Sequence, residues 1–106
     1  MSKITLTHDN KEYILEYSRQ SVKTMESQGF NIDEIDRKPA TMIPLLFEGA
    51  FIKNCRGVKR KEMDEIYEGI KDKGAFIQAL GQMCAETLST LLEDNPEGNV
   101  NWAMTR

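Results

Sequence analysis

The spacing of the apolar residues changes at Ser18, and this change constrains the fold more than any other feature of the sequence. Before Ser18, apolar and polar side chains alternate, which is typical of a strand with one buried face. Asp9 and Asn10 interrupt the alternation, and both residue types tolerate the positive φ angles of a two-residue hairpin turn. A turn there brings the apolar residues of the two strands together on one face, so we expect a β-hairpin over residues 2–17. The predicted pairs are Ile4 with Leu15 and Leu6 with Tyr13.

After Ser18 the apolar residues recur every three or four positions, as they do in amphipathic helices. Ser18 is a suitable N-cap for the first helix, and Gly29 can end it in a left-handed conformation. The predicted helices cover about residues 18–28, 40–55, 60–71 and 75–93. The apolar stripe predicted for the last helix comprises Phe76, Ile77, Leu80, Met83, Cys84, Thr87, Leu88, Leu91 and Leu92. These patterns predict an α+β fold that is mainly α, in which the hairpin is followed by about four helices packed as a small bundle.

The length and composition suit one domain. The chain has 106 residues, of which 40% are hydrophobic and 29% are charged, and such a chain can form its own core. We assign residues 1–94 to this domain and residues 95–106 to a C-terminal tail. No apolar run approaches the roughly 18 residues of a membrane span, and the first residues lack the apolar stretch of a signal peptide. We therefore expect a cytosolic protein, and its formal net charge of −3 argues against non-specific binding of nucleic acid.

Few residues are suited to catalysis or to metal binding. His8, the single histidine, adjoins the predicted turn and is interpreted as a solvated turn residue rather than a general base. Cys55 and Cys84 show neither a disulfide framework nor the spacing of zinc ligands, and Cys84 lies on the apolar stripe of the last helix. The acidic clusters at residues 33–36 and 94–97 lack the register of a calcium loop. We therefore expect no enzymatic activity, no cofactor and no metal site.

Three features are suited to binding another protein. Residues 42–55 are apolar on nearly all sides, so they form either the centre of the core or part of an interface. Residues 53–61 contain five basic side chains and no acidic one; they either complement a helix end or bind an acidic partner, including the acidic second half of a neighbouring copy. Trp102 either folds back over the core or anchors a partner. The candidate protein-binding residues are Met42, Leu46, Phe47, Phe51, Lys53, Arg56, Arg60 and Trp102.

The order of the segments resembles one protein family. The predicted hairpin leads into S-x-x-S-V-K-x-M-E-x-x-G-F at residues 18–30, and L-F-x-G-A-F follows at residues 46–51. Together with the later helices and the sequence EGNVNW at residues 97–102, this order resembles the small tail assembly chaperones of siphophages and prophages of Gram-positive bacteria. Some sets of these proteins are filed only as uncharacterised phage proteins. The similarity covers about residues 4–102, and none of its parts is a catalytic motif.

The resemblance implies a non-catalytic role in building the phage tail. Proteins of this family bind the tape measure protein, keep its long hydrophobic helices from aggregating, and recruit tail tube subunits while the tube polymerises. They work in the cytoplasm of the bacterial host and leave before the virion is complete. Many are also made in a longer form by a programmed ribosomal frameshift. A homo-oligomer would suit a long partner, and neither nucleic acid nor membrane is expected among the partners.

Two other classes of function stay open at this level. One is a small phage-encoded regulatory protein that binds a host protein, for which the basic residues 53–61 would matter more than the apolar helix. The other is a minor structural protein of the tail or the head–tail connector. Mature particles would contain such a protein and would lack a chaperone.

Overall fold

A two-stranded hairpin and four helices make up the folded part of the chain. The computed structural model describes residues 2–106. In chain order the elements are β1 (Ile4–His8), β2 (Lys11–Leu15), α1 (Arg19–Ser27), α2 (Pro39–Gly49), α3 (Arg60–Glu68) and α4 (Lys73–Ser89). Short 3₁₀ turns lie at Ile32–Glu34, before α2, and at Thr90–Leu92, after α4. The fold is α+β and mainly α, as the sequence predicts.

The hairpin has the predicted turn and register. Asp9 and Asn10 have φ angles of 52° and 64°, as in the two-residue turn whose twist matches that of the flanking strands. The paired residues are Ile4 with Leu15 and Leu6 with Tyr13. All four side chains belong to the core or pack against it. One face of the hairpin therefore covers the helices.

Helix α1 follows the prediction closely. The Oγ of Ser18 accepts a hydrogen bond from the Ser21 N–H at 3.0 Å, and the Oγ of Ser21 accepts one from the Ser18 N–H at 2.8 Å. This reciprocal cap satisfies an N–H that the first helical turn leaves free. Gly29 follows the helix with a φ of +101°, a conformation that glycine adopts at little cost. Val22 and Met25 lie on the buried face.

Helix α2 is shorter than the predicted helix over residues 40–55. It spans Pro39–Gly49, with a proline at its first position, where a missing N–H costs little. In residues 50–52 each N–H donates to the carbonyl oxygen three residues earlier, so the α-helical hydrogen-bonding pattern has ended. The carbonyl oxygen of Ala50 accepts a hydrogen bond from the Glu16 N–H at 3.1 Å. The chain beyond α2 is therefore attached to the end of β2 instead of continuing the helix.

The last two helices also differ from their predicted bounds. Helix α3 ends at Glu68 instead of near residue 71, because Gly69 caps it. Helix α4 begins at Lys73 instead of near residue 75. Its N-cap is Asp72, whose Oδ1 accepts a hydrogen bond from the Ala75 N–H at 3.1 Å. Asp72 thus starts the last helix within the gap predicted between residues 71 and 75.

The far end of α4 leaves the core. The α-helix stops at Ser89 and continues as the 3₁₀ turn Thr90–Leu92. Leu91 is 60% exposed and Leu92 is 91% exposed. Their assignment to the buried stripe is wrong, because the core and the apolar residues packed against it end at Leu88 on this helix.

One core joins the hairpin to all four helices. Helix α2 lies at its centre and packs against both α1 and α4. The buried apolar residues are Tyr13, Leu15, Tyr17, Val22, Met25, Phe30, Met42, Leu46, Phe47, Ala50, Phe51, Ile66, Leu80, Met83 and Cys84. Burial of these side chains is the main favourable term in the stability of the fold.

Residues 93–106, which we call the tail and which begin two residues before the predicted tail at 95–106, extend away from this core. They contain no helix or strand, and their one backbone turn is closed by the Gly98 N–H, which donates to the Asn95 carbonyl oxygen at 2.9 Å. The radius of gyration is 16.3 Å and the longest dimension is 57 Å. A compact chain of this length has a radius of about 13 Å. The projecting tail accounts for the difference.

Candidate partner-binding surfaces

The four apolar residues predicted to bind a partner lie in the core. Met42, Leu46, Phe47 and Phe51 are each less than 5% exposed. The sequence allows two interpretations of residues 42–55, the centre of the core or part of an interface. In the structure these four side chains lie at the centre of the core. A partner cannot contact these side chains while α2 keeps its packing, so we do not retain them as an interface.

The aromatic ring of Phe47 joins α2 to the last two helices. Its centroid lies 5.1 Å from that of Phe51, 5.2 Å from that of Tyr67 and 5.8 Å from that of Phe76. All three ring pairs meet edge to face, which is a favourable arrangement for aromatic side chains. The aromatic area of α2 thus stabilises this domain and is not available to another chain.

The close approach expected at the L-F-x-G-A-F segment occurs within the chain. A Cβ atom at Gly49 would overlap the side chain of Met25, on α1. Ala50 is fully buried as well. The small residues of α2 therefore admit α1, and the helix of a partner has no access to them.

Lys53 is paired within the chain. Its Nζ lies 3.0 Å from Oε2 of Glu16, and Nδ2 of Asn54 donates a hydrogen bond to Oε1 of the same carboxylate at 3.1 Å. These two interactions, that of Lys53 first, lower the pKa of Glu16. The predicted binding residue Lys53 thus connects the chain after α2 to the end of the hairpin.

The other basic residues of this segment differ in how they are paired. Arg60 lies 3.3 Å from Oε1 of Glu48, while Nε of Arg56 donates a hydrogen bond only to a backbone carbonyl. Within residues 2–106, no ion pair involves Arg56, Lys59 or Lys61. These three side chains are exposed and present positive charge to the solvent.

A small cleft opens between the chain after α2 and helix α3. Its volume is about 120 Å³. The lining residues are Glu48, Phe51, Ile52, Cys55, Arg56 and Met63. Ile52, Cys55 and Met63 are half-buried, so the cleft has an apolar floor with Arg56 at its rim. Lys59 and Lys61 line a separate depression beside the hairpin turn, together with His8 and Glu62.

Trp102 does not fold back over the core. It is 86% exposed, and its neighbours Val100 and Met104 are 85% and 72% exposed. The three residues occupy alternate positions, which place side chains on one face of an extended backbone. With Leu91 and Leu92, they form the exposed large apolar surface of the described chain. The tail is therefore the element best suited to contact a partner.

Three titratable side chains of the core, those of Cys84, Tyr17 and Tyr13, have raised pKa values. The thiol of Cys84 is fully buried, and burial raises its pKa to about 11, so it is protonated and unreactive at neutral pH. The hydroxyl of Tyr17 donates a hydrogen bond to the Leu46 carbonyl oxygen at 2.6 Å, and burial raises its pKa. The hydroxyl of Tyr13 donates to Glu62, and this hydrogen bond raises the pKa of Tyr13 to about 12.

His8 lies beside the hairpin turn, as predicted, with its Nε2 3.4 Å from Oδ2 of Asp9. In the part of the chain that the structure describes, no group of three histidine, cysteine, aspartate or glutamate side chains is arranged to hold a metal ion. Over the same residues, no helix has the length and apolar character needed to cross a membrane.

A family model described as a domain of unknown function, DUF5055, matches residues 1–105. The chain belongs to the DUF5055 family. No curated protein and no solved structure gives a significant match to this DUF5055 chain. Because the family match extends through the tail, the apolar residues at positions 100, 102 and 104 are part of the family domain.

Sequence reasoning missed most of the exposed surface of the DUF5055 tail. It selected Trp102 but neither Val100 nor Met104, although these residues repeat at every second position. The same alternation predicts the hairpin, so the signal was available. It also placed Leu91 and Leu92 in the core. An apolar stripe shows which face of α4 is buried, but it does not show how far along α4 the other elements of the domain pack against that face.

Proposed function

We propose that this protein is a phage tail assembly chaperone, which binds the tape measure protein and recruits tail tube subunits without catalysing a reaction. The observation that carries the proposal is the group of exposed apolar side chains on the tail, next to a domain whose own core is closed. Exposed apolar side chains that are grouped together usually serve in binding. The order of sequence segments supplies the identity of the partner.

The tail suits a client made of long hydrophobic helices. A chaperone for such helices has to cover apolar side chains reversibly, and this requires apolar contact area instead of a reactive group. Trp102 and Met104 offer a large aromatic ring and a flexible thioether, which adapt to varied apolar surfaces. The folded domain then acts as the soluble, charged body that keeps the complex dispersed.

The proposal places the protein in the cytoplasm of a bacterial host and outside the mature virion. In this scheme the tail contacts the tape measure protein, and the folded domain is left to contact tube subunits. A regulatory protein that binds an acidic host factor is the alternative favoured by the exposed cations Arg56, Lys59 and Lys61.

Co-expression with a fragment of the tape measure protein tests the proposal. The fragment should contain several of its apolar helical segments, and we expect the wild-type chain to increase its soluble yield and to co-elute with it. A variant with Val100→Ser, Trp102→Ser and Met104→Ser should lose both effects, because it lacks the exposed apolar face of the tail. The soluble yield and the elution profile are the measurements.

The matched control changes the alternate positions of the same segment, with Asn99→Ser, Asn101→Ser and Thr105→Ser. It leaves the apolar face intact and should behave like the wild-type chain. If the wild-type chain neither solubilises nor retains the fragment, the proposed function is wrong. If the apolar-face variant retains the fragment as well as the control does, the tail is not the binding element.

A further inference from the structure

The two edges of the hairpin differ in what covers them. In a hairpin with a two-residue turn, the residues that flank the turn exchange both hydrogen bonds, so every second residue of each strand turns its N–H and carbonyl oxygen outward. On β2 the outward carbonyl oxygen of Ile14 accepts hydrogen bonds from the Asn54 side chain at 3.4 Å and from the Cys55 thiol at 3.5 Å. Just beyond β2, the Glu16 N–H donates to Ala50. The chain after α2 therefore covers this edge.

The edge of β1 has no such cover. By the same alternation, β1 turns the N–H and the carbonyl oxygen of Thr5 and of Thr7 outward. Within residues 2–106, none of these four groups makes a backbone hydrogen bond to a segment outside the hairpin. The strand also contains no proline, lysine, arginine, aspartate or glutamate, and such residues are a common means of blocking an open edge. Strand β1 can therefore accept a further strand.

The burial of the apolar side chains decreases toward the same edge. Tyr13 and Leu15 on β2 are buried, whereas the residues paired with them on β1, Leu6 and Ile4, are only half-buried. A depression of about 220 Å³ lies beside Ile4, between the start of β1 and helix α4. The apolar face of the hairpin is therefore incompletely covered along β1, and a strand added there would complete the cover.

We propose that β1 of one copy pairs with β1 of a second copy across these open edges, so that two hairpins form one antiparallel four-stranded sheet. A two-fold axis at Leu6 brings Thr5 opposite Thr7 of the second copy, where the two residues exchange both hydrogen bonds. The axis generates this pair twice, which gives four hydrogen bonds. The same register places Lys3 next to Asp9 of the second copy. Paired threonines and opposite charges both favour this register.

The side chains on the core face of β1 also fit this register. Leu6 lies against Leu6 of the second copy, at a position where side chains of paired strands come closest. Ile4 lies opposite His8 of the second copy, whose ring then lies over the depression beside α4. Because the contact uses the same surface of both copies, it closes as a dimer and leaves no edge for a third copy.

The tail is the other extended segment of the chain, and two observations favour a second copy over it. In the structure the tail does not lie on this edge, since the hydrogen bonds of residues 95–106 are confined to the turn at 95–98. A tail strand would also place Asn99 and Asn101 in the sheet. Asparagine is depleted in strands, whereas the threonines of β1 are favoured there.

Sedimentation velocity over a range of concentrations tests the pairing. We expect the wild-type chain to form monomers and dimers in equilibrium, with no larger species. Thr7→Pro removes an outward N–H from each copy and thereby two of the four hydrogen bonds, so it should associate at least about tenfold more weakly. Glu12→Pro is the matched control, because Glu12 pairs with Thr7 in the hairpin and turns its N–H to the opposite edge. It should dimerise like the wild-type chain.

Amide hydrogen exchange followed by NMR tests the same edge without a substitution. The N–H groups of Thr5 and Thr7 should exchange more slowly at high protein concentration than at low concentration, while that of Glu12 should exchange fast at both. The variant that lacks the apolar face of the tail should dimerise like the wild-type chain. Far-UV circular dichroism should show that every variant keeps its helices.

The proposal is overturned if the wild-type chain stays monomeric at all concentrations, if Thr7→Pro associates as tightly as Glu12→Pro, or if the tail variant loses association. A monomer whose Thr5 and Thr7 N–H groups are protected would identify pairing with the chain's own tail, which also contradicts the proposal. Since these measurements use the purified chain alone, their failure is distinct from a failure to bind the tape measure protein.

Discussion

At the scale of single residues, Gly49 shows how closely the helices of this domain approach each other. The residue is buried in α2, and the position of its missing Cβ is occupied by the side chain of Met25. Interiors are packed at the density of organic crystals, so one added methyl group has to displace a neighbour. The contact fixes the separation of α1 and α2, and it explains why a residue of low helix propensity stands at the end of a helix in the core.

We expect Gly49→Ala to destabilise the fold by about 1–3 kcal/mol, the usual cost of adding a carbon atom to a filled core. The free energy of unfolding from urea titration measures the effect. Gly81→Ala is the matched control, because Gly81 lies inside α4 with open space around it. That change should stabilise the fold by about 0.5–1 kcal/mol through helix propensity alone. Equal effects at the two positions would show that the close contact with Met25 does not exist in solution.

At the scale of the elements, the sequence predicts what depends on local patterning. The hairpin register follows from period-two alternation and a turn that needs two positive φ angles, and the start of α1 follows from one serine cap. The end of α2 has no such local signal. It stops where the Ala50 carbonyl accepts a hydrogen bond from Glu16, thirty-four positions earlier in the chain, and periodicity carries no information on such a contact.

The candidate binding surfaces also divide into features that local sequence patterns predict and features that depend on contacts between distant segments. The apolar character of α2 is evident in the sequence, but whether it faces a partner or the core depends on how α1, α3 and α4 pack around it. The pairing of Lys53 with Glu16 and of Arg60 with Glu48 also joins distant segments. The sequence indicates Trp102 as a binding residue because of its residue type alone. Its exposure follows because no helix or strand of the described chain covers the tail.

The contact between Glu16 and Lys53 joins the hairpin to the chain after α2, and it should make stability depend on pH. The fold lowers the pKa of Glu16 from its ordinary value near 4.5. The carboxylate therefore contributes stability above pH 4.5, and this contribution is lost as the pH falls through the lowered pKa. Relative to Glu16→Gln, the wild-type chain should be more stable at pH 7, and the difference should shrink in acid.

Urea titrations of the two proteins at several pH values between neutral and acid measure this difference. Glu12→Gln is the control, since Glu12 is exposed on β2, which ends at Leu15 just before Glu16, and no ion pair within residues 2–106 involves it. A difference between the wild-type chain and Glu16→Gln that does not vary with pH would contradict the assigned contact.

At the scale of the whole molecule, the chain consists of a closed domain and a projecting apolar segment. The domain uses its large aromatic residues for its own stability, so the large apolar side chains that are free to bind lie in residues 91–104.

The single tryptophan reports directly on this arrangement. Because Trp102 is 86% exposed and outside the core, we expect its emission in dilute solution to be that of a solvated indole and to stay nearly unchanged through urea unfolding. Far-UV circular dichroism should show a cooperative transition over the same range, since the helices unfold with the core. The Trp102→Phe variant supplies the background from tyrosine. A clear red shift on unfolding of the dilute protein would show that the tail packs against its own domain.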